Sequence, residues 1–291
     1  MRGDRRRAPG LARAAARLTA AAVPLVAICA GIGAAVAGGG GAIAGVVAAG
    51  VILVAVGTYC DRLALSAMLA RPVSEVEHPE LYRLVRELSK GGRLPVPRLY
   101  LSPAGQPNSF AVGLTPRSAT ICCTEGLLAS LDEAELRGVL GHELAHVSGR
   151  DILPATVSAG LATVITFPAG LARLLPARAA GPGLLEAALM LVFGPVAALV
   201  IRLSVARERE YRADAAGALL AGDPEALARA LRKIEAGTAE LALAPDARLT
   251  SVGHLMIASP FRAEGFARLF GTHPPAGERI RRLEALAGYR R

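Results

Sequence analysis

Between Arg17 and Asp61 the chain carries no charged residue. That stretch, Leu18 to Cys60, is too long for a single membrane crossing and is interrupted by Gly38-Gly39-Gly40-Gly41. A helix needs about 20 apolar residues to cross the hydrocarbon layer, so the stretch reads as two spans joined by a tight glycine turn. A secretory leader with Ala35-Val36-Ala37 as its cleavage box is the rival reading. The second apolar block follows at once, so cleavage there still leaves an anchor. Composition argues against one oversized soluble core: hydrophobic residues make up 53% of the chain, yet aromatics only 4%, and Trp is absent. The excess is Ala, Val, Leu and Gly in a few long blocks, as membrane spans require.

Two more apolar blocks follow. Ile152 to Ala172 is uncharged, with Pro154 and Pro168 expected to bend it, and Leu184 to Ile201 carries Glu186 and Pro195. They read as a third and fourth span, or as a hydrophobic hairpin packed inside the protein. The formal net charge of +9 raises the question of nucleic acid. No recognition aromatics, zinc-knuckle spacing or recognition-helix pattern accompanies the charge, so no nucleic-acid partner is expected. The basic residues instead crowd beside the first span, at Arg2, Arg5, Arg6, Arg7, Arg13 and Arg17, whereas the loop after the third block holds only Arg173 and Arg178. That asymmetry puts both termini and the polar segments in the cytoplasm. Cys29, Cys60, Cys122 and Cys123 form no disulfide framework and read as free, buried thiols.

From Val73 to Val147 the pattern is that of a soluble subdomain. His78-Pro79-Glu80 opens a helix with Leu81, Leu84, Val85 and Leu88 on one face, and Gly91-Gly92 ends it. Arg98 to Ser102, Ser109 to Gly113 and Ala119 to Thr124 read as short strands between Pro/Gly turns. Ser130 with Glu133 then forms a capping box ahead of a helix whose apolar stripe is Leu136, Val139, Leu140, Leu144 and Val147. Further on, Asp223-Pro224 starts a helix, and Pro275 to Ala287 reads as the last one.

On the capped helix stands His142-Glu143-Leu144-Ala145-His146. Residues four apart stack on one helical face, so both imidazoles can bind one zinc ion, and Glu143 can take a proton from a metal-bound water. A catalytic zinc needs a third protein ligand. No third His follows at the extended-motif spacing, because position 152 is Ile. The best candidate is Glu210 in Arg207-Glu-Arg-Glu-Tyr-Arg-Ala-Asp214, with Asp214 one turn on to orient a ligand. A charged helix end at a membrane surface is the bland alternative for that segment. His146 and Glu210 can meet only if the chain between them returns to the same side, and its two apolar blocks are the even number required. Both ligands lie close to those blocks, so the site is expected at the cytoplasmic membrane face, taking membrane proteins or chain segments near the bilayer.

With these residues in place, the chain resembles the HtpX family of bacterial membrane metallopeptidases, related to the CAAX prenyl proteases. The resemblance covers nearly the whole length: two N-terminal spans, the zinc helix, two more spans, Arg209-Glu-Tyr-Arg-Ala-Asp214 and Thr272-His-Pro-Pro275. It implies a mainly α membrane protein of about four transmembrane helices with an α+β, zincin-like cytoplasmic protease domain that contains a small β-sheet. Residues 1–17 are then a basic arm, 18–60 two spans, 61–151 the first part of the protease domain, 152–203 the hydrophobic hairpin and 204–291 the second part. The resemblance implies one Zn2+ per chain on His142, His146 and Glu210, with Glu143 as base. It makes His273 a candidate for stabilising the oxyanion, with Arg279 in support; without it, His273 reads as a helix-capping residue before Pro274. Asn108, Phe110 and Ala111 match a segment beside the edge strand, where a substrate adds as an extended strand; a plain turn role for Asn108 stands beside that. Relatives carry Asn where this chain has Gly149, although Asp151 remains.

The implied activity is a zinc endopeptidase in the cell membrane, acting in quality control on damaged membrane proteins or unfolded polypeptides. A dedicated processing peptidase is the second reading, though prenyl proteases have more spans and a large chamber that four segments cannot enclose. An inactive metal-binding scaffold is the third, and it leaves Glu143 without a purpose. Oligomeric state is not legible.

Overall fold

The computed structural model describes residues 8–149, 151–172, 183–204, 206–262, 264–271 and 273–288. Arg2, Arg5, Arg6, Arg7, Arg173, Arg178 and Thr272, and the side chains of Arg13 and Arg17, lie outside the described residues. The uncharged stretch lies within α1, Ala8–Ala67, which turns back on itself where Ala37 (φ −143°, ψ 29°) and Gly38 (φ 58°, ψ −142°) leave helical geometry. A positive φ with that ψ is open essentially to glycine alone, so the first glycine of the run makes the turn. The two arms pack backbone to backbone: a Cβ on Gly33 would lie 2.1 Å from the Gly41 carbonyl oxygen, and one on Gly45 2.2 Å from that of Cys29. Small residues at such crossings are how helices approach closely in lipid.

The polar part begins with β1, Arg71–Pro72. Helix α2, Pro79–Gly92, follows and buries Leu81, Leu84, Val85 and Leu88 as its spacing requires. Its left-handed cap is Arg93 (φ 53°), one residue past the expected glycines. Strands β2 (Arg98–Ser102), β3 (Ser109–Val112) and β4 (Thr120–Thr124) fall where the turns placed them. The sheet order is β1-β2-β4-β3, with β2 parallel to β4 and β3 antiparallel to it. Cys122 and Cys123 point to opposite faces and are both buried, and burial pushes the Cys123 thiol up to about 12. All four cysteines are free.

One local expectation is corrected. Ser130 does not cap the motif helix; it closes a short helix α3, Glu125–Ser130, where its hydroxyl donates to the Gly126 carbonyl at 2.6 Å. Helix α4, Glu133–Ser148, is capped by Asp132, whose side chain accepts from Glu135 N while the Glu135 carboxylate accepts from Asp132 N. The sequence carries the cap-x-x-Glu pattern in two registers two residues apart, and the extra turn of α3 consumes the first.

Helices α5, Ile152–Ala172, and α6, Leu184–Ser204, follow. Together with α1 they are the three helices among the described residues long and apolar enough to cross a membrane, and about 21 residues at 1.5 Å each reach some 31 Å. Pro168 and Pro195 stand inside them, whereas Glu186 sits in the first turn of α6, where it accepts from the Ala247 amide at 3.4 Å. Val36, Ile43 and Val54 on α1 and Leu191 and Val192 on α6 are exposed, an apolar exterior suited to lipid. Helix α7, Arg207–Ala221, then carries the Arg/Glu-rich segment, followed by α8 (Pro224–Glu240), α9 (Ala247–Val252) and α10 (Ala276–Gly288). Asp223 caps α8 as expected, accepting from Ala226 N at 2.9 Å.

The two polar segments make a single core: Val85, Leu99, Ile121, Leu140 and Leu144 from before the hairpin pack with Leu227, Leu231, Ile234 and Leu283 from after it. Helix α9 docks onto α5, where the Thr163 hydroxyl donates to Ser251 Oγ at 2.9 Å and Thr166 to the Ala247 carbonyl at 3.1 Å. One side of α5 is thereby bound into the polar domain rather than facing lipid.

Candidate metal centre

Helices α4 and α7 cross at two glycines. A Cβ on Gly217 would lie 2.5 Å from the His142 backbone N, and one on Gly141 2.6 Å from the Gly217 carbonyl oxygen. That crossing brings the Arg/Glu-rich helix close enough for Glu210 to face the motif histidines. His142 Nε2 and His146 Nε2 lie 3.1 Å apart. Glu210 Oε1 is 3.6 Å from His146 Nε2, and its Oε2 is 3.9 Å from His142 Nε2. The three ligand atoms lie within 4.8 Å of one another, the one such group of His, Cys, Asp or Glu among the described residues. The expected convergence of His142, His146 and Glu210 is therefore present.

The donor set fits a divalent cation. Tetrahedral zinc with bonds near 2.1 Å separates its ligand atoms by roughly 3.4 Å, close to the spacings seen. Two imidazole nitrogens face each other beside a carboxylate, and the buried Glu210 Oε2 has no hydrogen-bond partner. Burial pushes His146 down to about 3, so its nitrogen is unprotonated at neutral pH. Burial raises the Glu210 pKa, but His146 and His273 outweigh it and hold the carboxyl well below its ordinary range.

The surroundings orient these side chains. His142 Nδ1 lies 2.9 Å from Asp214 Oδ1, which leaves Nε2 facing His146 and Glu210. Asp214 in turn receives two bonds from the buried Arg279: Nε to Oδ2 at 2.8 Å and Nη2 to Oδ1 at 2.7 Å. Arg279 therefore stands behind His142 through Asp214. His273 Nδ1 sits 3.4 Å from Glu210 Oε2, and neither ring nitrogen of His273 has a hydrogen-bond partner. At the end of α4, Asp151 pairs with Arg209 Nε at 2.8 Å, and Arg209 Nη1 reaches the Ser204 carbonyl at 2.9 Å. A Cβ on Gly149 would meet Asp151 Oδ2 at 3.0 Å, so the glycine leaves Asp151 undisturbed for this link.

Glu143 is buried, and its Oε1 accepts from the Ser109 hydroxyl at 2.6 Å. Burial raises its pKa, with His142 and the Ser109 bond acting against that. A serine between Asn108 and Phe110 carries no signal of its own in the sequence; only the lie of β3 across α4 aims Ser109 at Glu143.

The edge of β3 is not open as expected. The Ser109 carbonyl accepts from Ile257 N at 2.9 Å, Phe110 bridges to Met256, and Asn108 Nδ2 donates to the Ala258 carbonyl at 3.0 Å. Asn108 and Phe110 are buried under this returning stretch, while Ala111 lines a cavity of about 30 Å³ with Glu143, His146, Glu210 and His254. The stretch is held from behind by Arg279 Nη1 on the Ile257 carbonyl at 2.6 Å, a contact between distant segments that no local pattern announces.

His254 gives the apo protein a pH signature. Its Nε2 lies 3.0 Å from Ser158 Oγ and 3.3 Å from the Ala155 carbonyl oxygen. Burial pushes it down to about 4, against partial support from the Ala155 and Ser251 carbonyls. A depressed folded pKa contributes stability that is complete above the unfolded value near 6.5 and is lost as pH falls towards 4. The loss amounts to about 3 kcal/mol at full extent. Thermal melting of chelator-treated protein between pH 6.5 and 5 is expected to show this decline together with that from His146, whose pKa burial also depresses, and His254→Phe to make it shallower without abolishing it.

Comparison with known proteins places these residues in context. Residues 75–287 match the family model described as peptidase family M48. The chain is 55% identical over 236 residues to a protein of Kineococcus radiotolerans named Protease HtpX homolog, covering 79% of this chain and 80% of that one. It is 50% identical over 243 residues to the protein of the same name from Paenarthrobacter aurescens, covering 82% and 83%. Among solved structures, S. mikatae Ste24p is similar at 19% identity and a TM-score of 0.39, over 74% of this chain and 50% of that one.

Proposed function

The chain belongs to peptidase family M48 and is a membrane metalloprotease, and from that premise we propose that its metal is one zinc ion held by His142, His146 and Glu210. The observation that carries this reading is the meeting of the three ligand atoms within 4.8 Å. When bound, zinc supplies an acidified water and polarises the scissile carbonyl. The chain's own residues do the rest. Glu143 takes a proton from the attacking water and returns it to the leaving nitrogen. Asp214, backed by Arg279, fixes the His142 ring, and His273 lies beside the metal position to stabilise the oxyanion.

Substrate is proposed to approach at Ala111, the residue of the edge segment that lines the cavity with Glu143; Asn108 and Phe110 act through the returning stretch they hold. Residues 61–151 and 204–291 serve as two parts of one protease domain around the hydrophobic hairpin, in keeping with their shared core. The proposed position is the cytoplasmic face of the cell membrane, for which the N-terminal arginines are the support. Ile152 and Ala155, in the first turn of α5, line the same cavity as Glu143, so the centre adjoins the start of an apolar helix. Membrane proteins and unfolded segments near the bilayer are accordingly the proposed substrates.

Two measurements test the reading. Detergent-purified protein is expected to hold one zinc per chain, and Glu210→Gln to lose it under dialysis that leaves wild type loaded. A Glu210→Gln protein that kept full zinc would remove Glu210 from the ligand set. In liposomes, a membrane-anchored substrate is expected to be cleaved at least about tenfold faster than soluble unfolded casein, since anchoring raises effective concentration. Equal rates would end the proposed preference.

A further inference from the structure

Residues 256–258, which close the edge of β3, are held through their backbone by groups from around the metal centre. Ile257 N donates to the Ser109 carbonyl at 2.9 Å, and the Ile257 carbonyl accepts from Arg279 Nη1 at 2.6 Å. The Asn108 amide takes the next residue at both ends. Its Oδ1 accepts from Ala258 N at 3.4 Å, and its Nδ2 donates to the Ala258 carbonyl at 3.0 Å. Two of these holders also serve the site. Ser109 puts its hydroxyl on Glu143, and Arg279 holds Asp214, which meets His142.

A strand built into a sheet is joined by a backbone ladder. Here one isolated bridge, Phe110 to Met256, is supplemented by two side chains. Groups that read N–H and C=O atoms accept any extended chain, as in strand addition, and side-chain pockets supply the selectivity. Ile257 provides such a side chain, buried in the core cluster that includes Leu140, Leu144 and Leu231. The direction is fixed as well. The stretch runs antiparallel to β3, and Leu255 and Ala111 line the cavity beside Glu143, His146 and Glu210, whereas Ile257 and Ala258 do not. A chain laid along this path therefore leaves the metal centre towards its C-terminus. Between α9 and α10 the described residues contain no α-helix, only 3-10 turns, so the stretch can move out without unwinding one.

We propose that residues 256–258 are an internal stand-in for substrate. A bound polypeptide displaces them and takes over the Ser109 carbonyl, the Asn108 amide and Arg279 Nη1. It places an aliphatic side chain where Ile257 now sits, and that side chain belongs to the residue just after the scissile bond.

The exchange is close to even. Backbone bonds are replaced in kind, and one aliphatic side chain refills the space that another leaves, so no cavity remains in the core. A chain with a charged or very small residue at that position cannot refill it. The closed edge thus becomes a filter: the free enzyme stays shut until a chain matches what Ile257 already provides.

The inference rests on the proposed zinc centre, and the test separates the two. Amide hydrogen exchange is followed in the zinc-loaded, detergent-purified full chain, with and without a phosphinic peptide carrying Ile-Ala after the phosphinate. Residues 256–258 are expected to be protected in the free protein and to exchange at least about tenfold faster with the peptide bound. Protection that persists under saturating peptide overturns the proposal. A peptide that fails to bind zinc-replete protein tells instead against the metal centre, and the inference falls with it. Ile257→Ala loosens the stretch, so KM for a quenched peptide is expected to fall roughly tenfold with kcat within twofold. A purely structural role for Ile257 raises KM or lowers kcat, and either result overturns the proposal. If the variant does not fold, the exchange measurement on wild type still decides. Replacing the Ile after the scissile bond of the quenched peptide with Asp is expected to lower kcat/KM at least about tenfold, and equal cleavage removes the assigned preference.

Discussion

Glu143→Gln is expected to cut kcat by about a thousandfold or more, within the range that removal of a general base produces, while zinc content stays at that of wild type. The substitution preserves shape: a Gln carbonyl oxygen can still accept from the Ser109 hydroxyl, which now bonds Glu143 at 2.6 Å. What it removes is the ability to take a proton from water. Glu143 is buried, and burial already raises its pKa, so neutralising it relieves a desolvated charge. Melting temperature is therefore expected to hold or rise while turnover collapses. Peptide cleavage measured at matched zinc occupancy checks this, and a variant retaining a tenth of the wild-type kcat would exclude Glu143 as the base. The same comparison separates a protease from an inert metal scaffold, because a scaffold is indifferent to the change.

Arg279→Met is expected to have the largest effect on stability. Arg279 is buried and spends three nitrogens on the interior: two on Asp214 and one on the Ile257 carbonyl. Removing it strands the Asp214 carboxylate, which Arg279 now helps to hold well below the usual range against burial. Breaking a buried pair from one side costs about 3–5 kcal/mol, or roughly 6–20 °C in melting temperature at this chain length. Removing both partners as Arg279→Met with Asp214→Leu is expected to recover much of that, since no charge is left unpaired. The double variant still binds zinc roughly 10- to 100-fold more weakly, because His142 has lost the group that orients it. Melting in detergent and competition with a chelator read the two effects separately. A shift under 2 °C for the single variant would mean that the pair is not a structural support.

Much of this was legible before any coordinates. Leu81, Leu84, Val85 and Leu88 show their shared face by spacing alone, and His142 and His146 show theirs in the same way. The three strands of the subdomain are bounded by turn residues that act within a few positions. Glu210 was reachable by a topological argument, because two apolar blocks must return the chain to the side it left. The capping register was not, because Ser130 and Asp132 both head an acceptable box and the choice depends on whether α3 forms. Ser109, Gly141 and Gly217 were invisible for a related reason. A hydroxyl aimed at a carboxylate and a glycine beneath a foreign backbone are relations between segments, and each segment by itself is unremarked. The closure of the β3 edge by Met256 and Ile257 lies furthest from reach, since it joins residues almost 150 positions apart.

The sequence by itself determined which stretches can lie in lipid, which helix presents two imidazoles and a carboxylate on one turn, and that Glu210 has to come back to them. These follow from hydropathy and helical period, which act over neighbouring residues. Only the tertiary structure decided how closely α7 approaches α4, what stands behind His142, and which groups face the space beside Glu143. Those depend on backbones meeting at Gly141 and Gly217 and on buried polar atoms finding partners from distant segments, and burial is a property of the folded whole.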